Sequence, residues 1–254
     1  MAMTRPFILL LSIAISLSAG TPVWKWKVVD SLSHPHDRFT QGLFWSGSDL
    51  YESTGLVGQS RVYHMNAKGK VLDSTEIPAP HFGEGSARVG DQLLVLTWQS
   101  RIGFVLHAKT LQKLGEFSLP GEGWGLASDA GNLWLSDGSA TLFRMNAATK
   151  SIVGTLPVKE QGRPVAKLNE LEVVGPFVLA NIWYSDSIAV IAPADGHVVA
   201  WIDCASLTKA VRKTDAHADV LNGIAWDGKK LWVTGKLWPK IFALEVSGIP
   251  KLQK

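Results

Sequence analysis

The sequence predicts an all-β domain, a five-bladed β-propeller whose ring is closed by an N-terminal strand joining the last blade. Three observations predict it. Five similar segments recur at a nearly constant interval, each is followed by short apolar strands with no helical period, and the last repeat is one strand short while the N-terminus has one to spare.

The chain opens with a segment that does not belong to this domain. Arg5 is followed by an apolar run, Phe7 to Ile15, and then by Ser16, Ser18, Ala19 and Gly20. A basic start, a short apolar stretch and small residues form the pattern of a secretory signal peptide. The run is too short for a membrane span, which needs about 20 apolar residues, and Thr21, Lys25 and Lys27 follow at once. Residues 1–20 therefore read as a signal peptide and 21–254 as a single propeller domain, with a periplasmic or secreted destination and no membrane attachment after cleavage.

Composition narrows the partners. Of 25 basic and 22 acidic residues only Arg5 falls in the leader, so the exported part stays close to neutral. No Lys/Arg cluster appears, which argues against nucleic acid. Cys204 is the single cysteine, so no internal disulfide can form, and the domain must be held by its core. At 46% hydrophobic residues it has enough apolar material for one. Cys204 itself reads as a small buried side chain.

The repeated segments are 39–43 (FTQGL), 82–86 (FGEGS), 122–126 (EGWGL), 167–171 (KLNEL) and 220–224 (VLNGI), and their fourth positions lie 43, 40, 45 and 53 residues apart. Intervals near 40–45 residues suit propeller blades. Second strands follow at 50–53, 93–98, 133–136, 177–182 and 231–234, reached through Gly, Asp and Asn turns. Third strands are expected at 61–66, 103–107, 141–146 and 188–192, with an edge strand such as 70–77 completing the four of a blade. The last repeat has room for three strands before Val246, and Trp24 to Val29 supplies the fourth. This closure removes an open sheet edge. The long final interval holds a polar excursion, 205–219, readable as a loop or as a short helix over one face.

The innermost strands surround the axis, so one repeat position forms a ring around it. That ring is Gln41, Glu84, Trp124, Asn169 and Asn222. A second set, Trp98, Trp183 and Lys236, comes from the ends of the second strands. Trp134, Trp201, Trp226 and Trp232 alternate within strands and read as core. Trp98, Trp124 and Trp183 adjoin polar or Gly residues at loop ends and read as the walls of a substrate cage. One carboxylate, one ammonium and several amides within aromatic walls suit a small polar group.

Other chemistries find little support. G-x-S-x-G, H-E-x-x-H and C-x-x-C are missing from the sequence. The glycines at 121, 123 and 125 precede no helical pattern, and the His34-Pro35-His36 and 215–219 segments read as solvated loops before metal sites. Three readings remain from the residues: an enzyme acting in the aromatic pocket, a calcium-dependent lactonase or esterase using Glu84, Asn169 and Asn222 as oxygen ligands, and a propeller that serves as an interaction scaffold without chemistry.

Seven motifs then settle the order of these readings: 39–43, 82–85, 96–98 (LTW), 123–126 (GWGL), 169–172 (NELE), 180–183 (ANIW) and 234–241 (TGKLWPKI). At these residues the chain closely resembles the plant and bacterial type of glutaminyl cyclases, over essentially the whole exported part. The resemblance implies conversion of an N-terminal glutamine to pyroglutamate with release of ammonia. It places Glu84 and Lys236 as catalytic groups, and Phe39, Gln41, Phe82, Trp98, Trp124, Asn169 and Trp183 around the substrate. Peptides and proteins with N-terminal Gln are the implied partners. No cofactor or metal is required, a structural calcium in the channel stays compatible, and a monomer is expected.

Overall fold

The computed structural model describes residues 20–129 and 131–250, so all but Gly20 of the segment read as a leader lies outside the described residues. Strand β1 (Trp26–Ser33) comes first. Blade one is β2 (Thr40–Ser46), β3 (Asp49–Thr54), β4 (Arg61–Met65) and β5 (Val71–Glu76). Blade two is β6 (Gly83–Val89), β7 (Gln92–Thr97), β8 (Ile102–His107) and β9 (Lys113–Ser118). Blade three is β10 (Leu126–Asp129), β11 (Asn132–Leu135), β12 (Thr141–Asn146) and β13 (Ile152–Pro157). A small hairpin, β14 (Lys159–Glu160) and β15 (Arg163–Pro164), leads into blade four, β16 (Leu168–Val174), β17 (Phe177–Ile182), β18 (Ser187–Ile191) and β19 (Val198–Asp203). Helix α1 (Ala205–Thr214) precedes blade five, β20 (Leu221–Trp226), β21 (Leu231–Gly235) and β22 (Lys240–Val246).

Each blade is an antiparallel meander, and the innermost strands β2, β6, β10, β16 and β20 adjoin one another in that cyclic order, with β20 returning to β2. The expected closure is present. β1 pairs antiparallel with β22, from Trp26 opposite Val246 to Ser33 opposite Lys240, two residues later at its start than the alternation in the sequence suggests. The polar excursion contains α1, which buries Leu207, Thr208 and Val211 against the core.

Why these strands stack as blades is visible in β7. Successive side chains of a strand point to opposite faces. Leu93 and Val95 enter the apolar cluster shared with blade one, while Leu94 and Leu96 enter the cluster shared with blade three. A strand apolar on both faces has to be sandwiched, and each of the five seams between blades holds one such cluster. Burying one leucine of this kind contributes about 1.5–3 kcal/mol. Trp134 and Trp232 are buried in these seams as expected, whereas Trp201, on the outermost strand of blade four, and Trp226, the last residue of β20, are only half-buried. Cys204 is buried, and desolvation pushes its thiol up to about 12.

The His34-Pro35-His36 segment departs from its reading as a solvated loop. His34 is buried, with Nδ1 2.6 Å from the Trp238 carbonyl oxygen and Nε2 2.9 Å from Glu52 Oε1. Arg38 and Thr40 also donate to Glu52, both at 2.8 Å. Burial alone would raise the Glu52 pKa, but His34, Arg38 and Thr40 together hold it at about 2. His36 reaches Asp215 at 2.7 Å, tying together the two loops that carried histidines and aspartates. The sequence could not show this network, since it depends on which strands meet at the closing seam.

Candidate active site

The ring residues owe their inward aim to the backbone. The pairing of the first two strands shifts register between Thr40 and Gly42, Gly83 and Ser86, Leu168 and Leu171, and Leu221 and Ile224. These bulges carry Gln41, Glu84, Asn169 and Asn222, and a bulge re-aims the side chain that it leaves unpaired. In blade three Trp124 stands just before β10, its N–H donating to the Ser136 carbonyl at 2.9 Å. Glycine follows the ring residue where neighbouring backbones nearly touch: a Cβ on Gly85 would lie 2.6 Å from the Trp124 carbonyl oxygen. Blade four has Glu170 there instead. Its carboxylate accepts the N–H groups of Leu43 at 3.2 Å and Ile224 at 2.8 Å, linking blades one and five across the axis, and burial raises its pKa well above the usual range.

The second set is delivered by a repeated hydrogen bond. The N–H of Trp98 donates to the Phe82 carbonyl (3.1 Å), that of Trp183 to Lys167 (2.9 Å) and that of Lys236 to Val220 (2.9 Å). Each such bond holds the residue after a second strand against the residue two before a ring position. That upstream position is held by Phe39, Phe82, Glu122, Lys167 and Val220, of which Phe39, Phe82 and Val220 line the cavity beside the ring residues.

Nine of the ten residues singled out in the sequence line one cavity of about 170 Å³, together with Tyr184, Asp219 and Val220, which the sequence reading missed; the tenth, Asn222, lies behind Gln41, to which it donates a hydrogen bond. Larger depressions of about 750 Å³ and 330 Å³ lie elsewhere, and neither gathers the ring groups. Aromatic rings meet in two runs, edge to face in all but the last contact, which is tilted. Phe39 contacts Phe82 (6.1 Å between centroids) and Phe82 contacts Trp98 (5.7 Å), while Trp124 contacts Trp183 (5.3 Å) and Trp183 contacts Tyr184 (4.6 Å).

Glu84 is the buried acid of the cavity, 5% exposed. Gln41 Nε2 donates to its Oε1 at 2.9 Å, and Asn222 Nδ2 in turn donates to Gln41 Oε1 at 3.2 Å, so Gln41 is oriented toward the carboxylate. Among the described residues no cation lies within the 4.0 Å of an ion pair with Glu84. Burial raises its pKa well above the usual carboxylate range, Lys236 offsets part of that, and Glu122 adds to it. Lys236 is 5% exposed, with Nζ 4.5 Å from the centre of the Phe39 ring. Burial lowers its pKa, against the opposing pull of Glu84 and Asp219. Asn169 Oδ1 is buried with no hydrogen-bond partner among the described residues. A buried acceptor in that state carries a desolvation cost unless a ligand supplies a donor.

The indole N–H groups of Trp98 and Trp124 do not face the cavity as donors, because both are held by Glu122, at 2.8 and 2.9 Å. Among the described residues no three His, Cys, Asp or Glu side chains gather as a metal site.

Comparison with known proteins agrees in fold and in family. A β-propeller domain of Cps50 (Swd1) from Myceliophteria thermophila superposes with a TM-score of 0.52 over 88% of this chain and all of that one, at 9% identity, a likeness of fold alone. The crystal structure of Myxococcus xanthus glutaminyl cyclase superposes with a TM-score of 0.82 at 34% identity, covering 89% of this chain and 98% of that one. The glutaminyl-peptide cyclotransferase of Arabidopsis thaliana is 42% identical over 237 residues, 91% of this chain and 74% of that protein. The family model for glutamine cyclotransferase matches residues 6–246, and the chain belongs to that family.

Proposed function

We infer that this protein is a glutaminyl-peptide cyclotransferase, closing the N-terminal glutamine of peptides and proteins to pyroglutamate with release of ammonia. The observation that carries the reading is the meeting, inside one aromatic cavity, of a buried carboxylate, a buried lysine and the Asn169 carbonyl, the first without an ion pair and the last without a hydrogen bond among the described residues. Attack of the α-nitrogen on the side-chain carbonyl carbon forms a C–N bond and an oxyanion. The amine proton passes to Glu84, which returns it to the carboxamide nitrogen. The second C–N bond then breaks and ammonia leaves. Both reacting groups belong to one residue, so holding it folded back supplies much of the rate.

Glu84 suits the proton transfers because its raised pKa lies nearer to working pH than that of an ordinary carboxylate. Lys236 supports the oxyanion. Asn169 Oδ1 accepts an N–H of the substrate, and the aromatic walls pack against its methylenes. Gln41 holds Glu84 in place. The reaction as written draws on no cofactor, and the exported, periplasmic or secreted setting follows the leader-like N-terminus. No helix among the described residues is long and apolar enough to cross a membrane.

The test is ammonia release from a peptide beginning with glutamine, against the same peptide acetylated at its α-amine. The free peptide should turn over and the acetylated one should not. Equal turnover of the two would remove the α-amine from the mechanism and end this reading.

A further inference from the structure

The aromatic wall falls into two runs, and where Trp98 faces Trp124 a single side chain reaches both rings. Among the described residues no ring contact joins Trp98 to Trp124, the ends of the two aromatic runs. Between them stands Glu122, half-buried in the turn before β10. Its Oε2 accepts the Trp98 indole N–H at 2.8 Å and the Trp124 indole N–H at 2.9 Å, and its Oε1 accepts the Gln99 amide at 3.2 Å.

We propose that Glu122 is a positioning residue for the cyclisation: it fixes the Trp98 and Trp124 rings as one continuous wall for the glutamine side chain and sets the charge that Glu84 and the substrate's α-ammonium meet. Trp98 needs such an anchor. It is 37% exposed at a strand end, and its ring contact among the described residues is an edge contact with Phe82. Packing of that kind leaves an indole free to swing, whereas hydrogen bonds to an ionised acceptor are roughly twice as strong as neutral ones. Anchoring both rings on one oxygen also makes their positions interdependent, although they come from different blades.

The electrostatic part follows from who faces Glu84. Lys236, from the loop after β21, lowers the affinity of Glu84 for its proton, and Glu122, from the turn before β10, raises it. Gln41, at the head of β2, is uncharged, and Asp219 acts on Lys236. Removing the charge of Glu122 therefore leaves burial alone to oppose Lys236 at Glu84, and Glu84 ionises at lower pH.

This inference rests on the pocket being the site of glutamine cyclisation, and the experiment separates the two. Wild type, Glu122→Gln and Glu122→Asp are compared in the full chain for ammonia release from a glutamine-initiated peptide across pH, with thermal midpoints. Glu122→Gln should raise KM on the order of tenfold, the scale of losing hydrogen bonds to a charged group, reduce kcat less, and move the acid limb of kcat/KM to lower pH. Glu122→Asp keeps the charge but draws it back from the indoles, so it should raise KM and leave the acid limb in place, which keeps the question answerable if the Gln variant does not fold. Wild-type KM and an unmoved acid limb in Glu122→Gln would overturn the inference, as would a lowered midpoint with both kinetic features intact. A wild type that releases no ammonia would instead refute the reading of the site, and this inference with it.

Discussion

Replacing Glu84 by glutamine should separate chemistry from architecture in a single variant. Glutamine keeps the shape, and its side-chain carbonyl can still accept the 2.9 Å hydrogen bond from Gln41, so the pocket geometry survives. What is lost is the base. A positioned acid–base group contributes on the order of 10²–10⁴ in rate, which is a barrier increase of about 2.7–5.5 kcal/mol. Turnover should fall by that factor with KM little changed, because in the proposed mode the aromatic rings and Asn169 hold the substrate. Stability should move the other way. A carboxyl whose pKa is raised by folding stabilises the protein below its ordinary value of 4.5 and withdraws that stability as pH rises through the raised value. The variant lacks this withdrawal, so its midpoint should match wild type in acid and exceed it above neutrality. In a domain of this size each 1 kcal/mol recovered is worth about 2–4 °C. The assay is ammonia release paired with circular-dichroism melts at pH 4 and pH 8. Turnover within about threefold of wild type would clear Glu84 of the base role. A midpoint lowered at pH 8 would make it an ion-pair partner of Lys236 instead.

Other consequences can be checked alongside. The dependence of kcat/KM on pH should fall on the acid side at a pH above the ordinary carboxylate range, as Glu84 takes up a proton, and on the alkaline side below the ordinary lysine value, as Lys236 loses one; an acid limb at or below 4.5 would contradict the burial of Glu84. Trp183→Ala should raise KM and leave the midpoint nearly unchanged, whereas Trp134→Ala, in the seam of blades three and four, should lose about 3–5 kcal/mol, seen as a midpoint lowered by roughly 10 °C. Equal losses of midpoint would make Trp183 a core residue. Glu52→Gln should strand the Arg38 and His34 groups that face it and cost about 3–5 kcal/mol at neutral pH. Since the pKa of Glu52 is depressed to about 2, the stability it provides is present above 4.5 and is lost as pH falls toward 2, so wild type and variant should converge in urea titrations near pH 2.

The phase of the blades was legible because the repeat carries its own marker. A glycine is needed where the backbones of neighbouring blades nearly touch, and the residue before it is the one that the bulge turns inward. From that, Gln41, Glu84, Trp124 and Asn222 could be placed on the axis, and the repeat interval alone added Asn169, where Glu170 stands in the glycine's place. Glu122 was missed although it carried a signal: it stands two residues before Trp124, as Phe39 and Phe82 stand two before Gln41 and Glu84. Which way the indole N–H groups point was not legible, because Glu122 takes both only once its turn, which also holds Trp124, packs beside Trp98 of the neighbouring blade. The same holds for His34. Its partners Glu52 and Trp238 lie 18 and 204 residues away and meet it only once β1 has docked.

The docking of β1 governs how the molecule can be made. Residues 26–33 are among the first of the domain to emerge during synthesis, yet their partners at 240–246 are among the last. Blades one to four can form from local hairpins as the chain appears. The fifth cannot, and until it does β22 presents an unpaired edge of seven residues on a nearly finished ring. Closing a loop that spans almost the whole domain is the slow, entropically expensive step that high contact order predicts, and the exposed edge is a template for pairing with another chain. The order of events also links assembly to competence: β1 runs directly through His34 and Arg38 into Phe39 and Gln41, so the strand that latches the ring is continuous with one wall of the pocket. A circular permutant that moves β1 behind β22 would turn this latch into a short hairpin, and should refold faster at unchanged equilibrium stability.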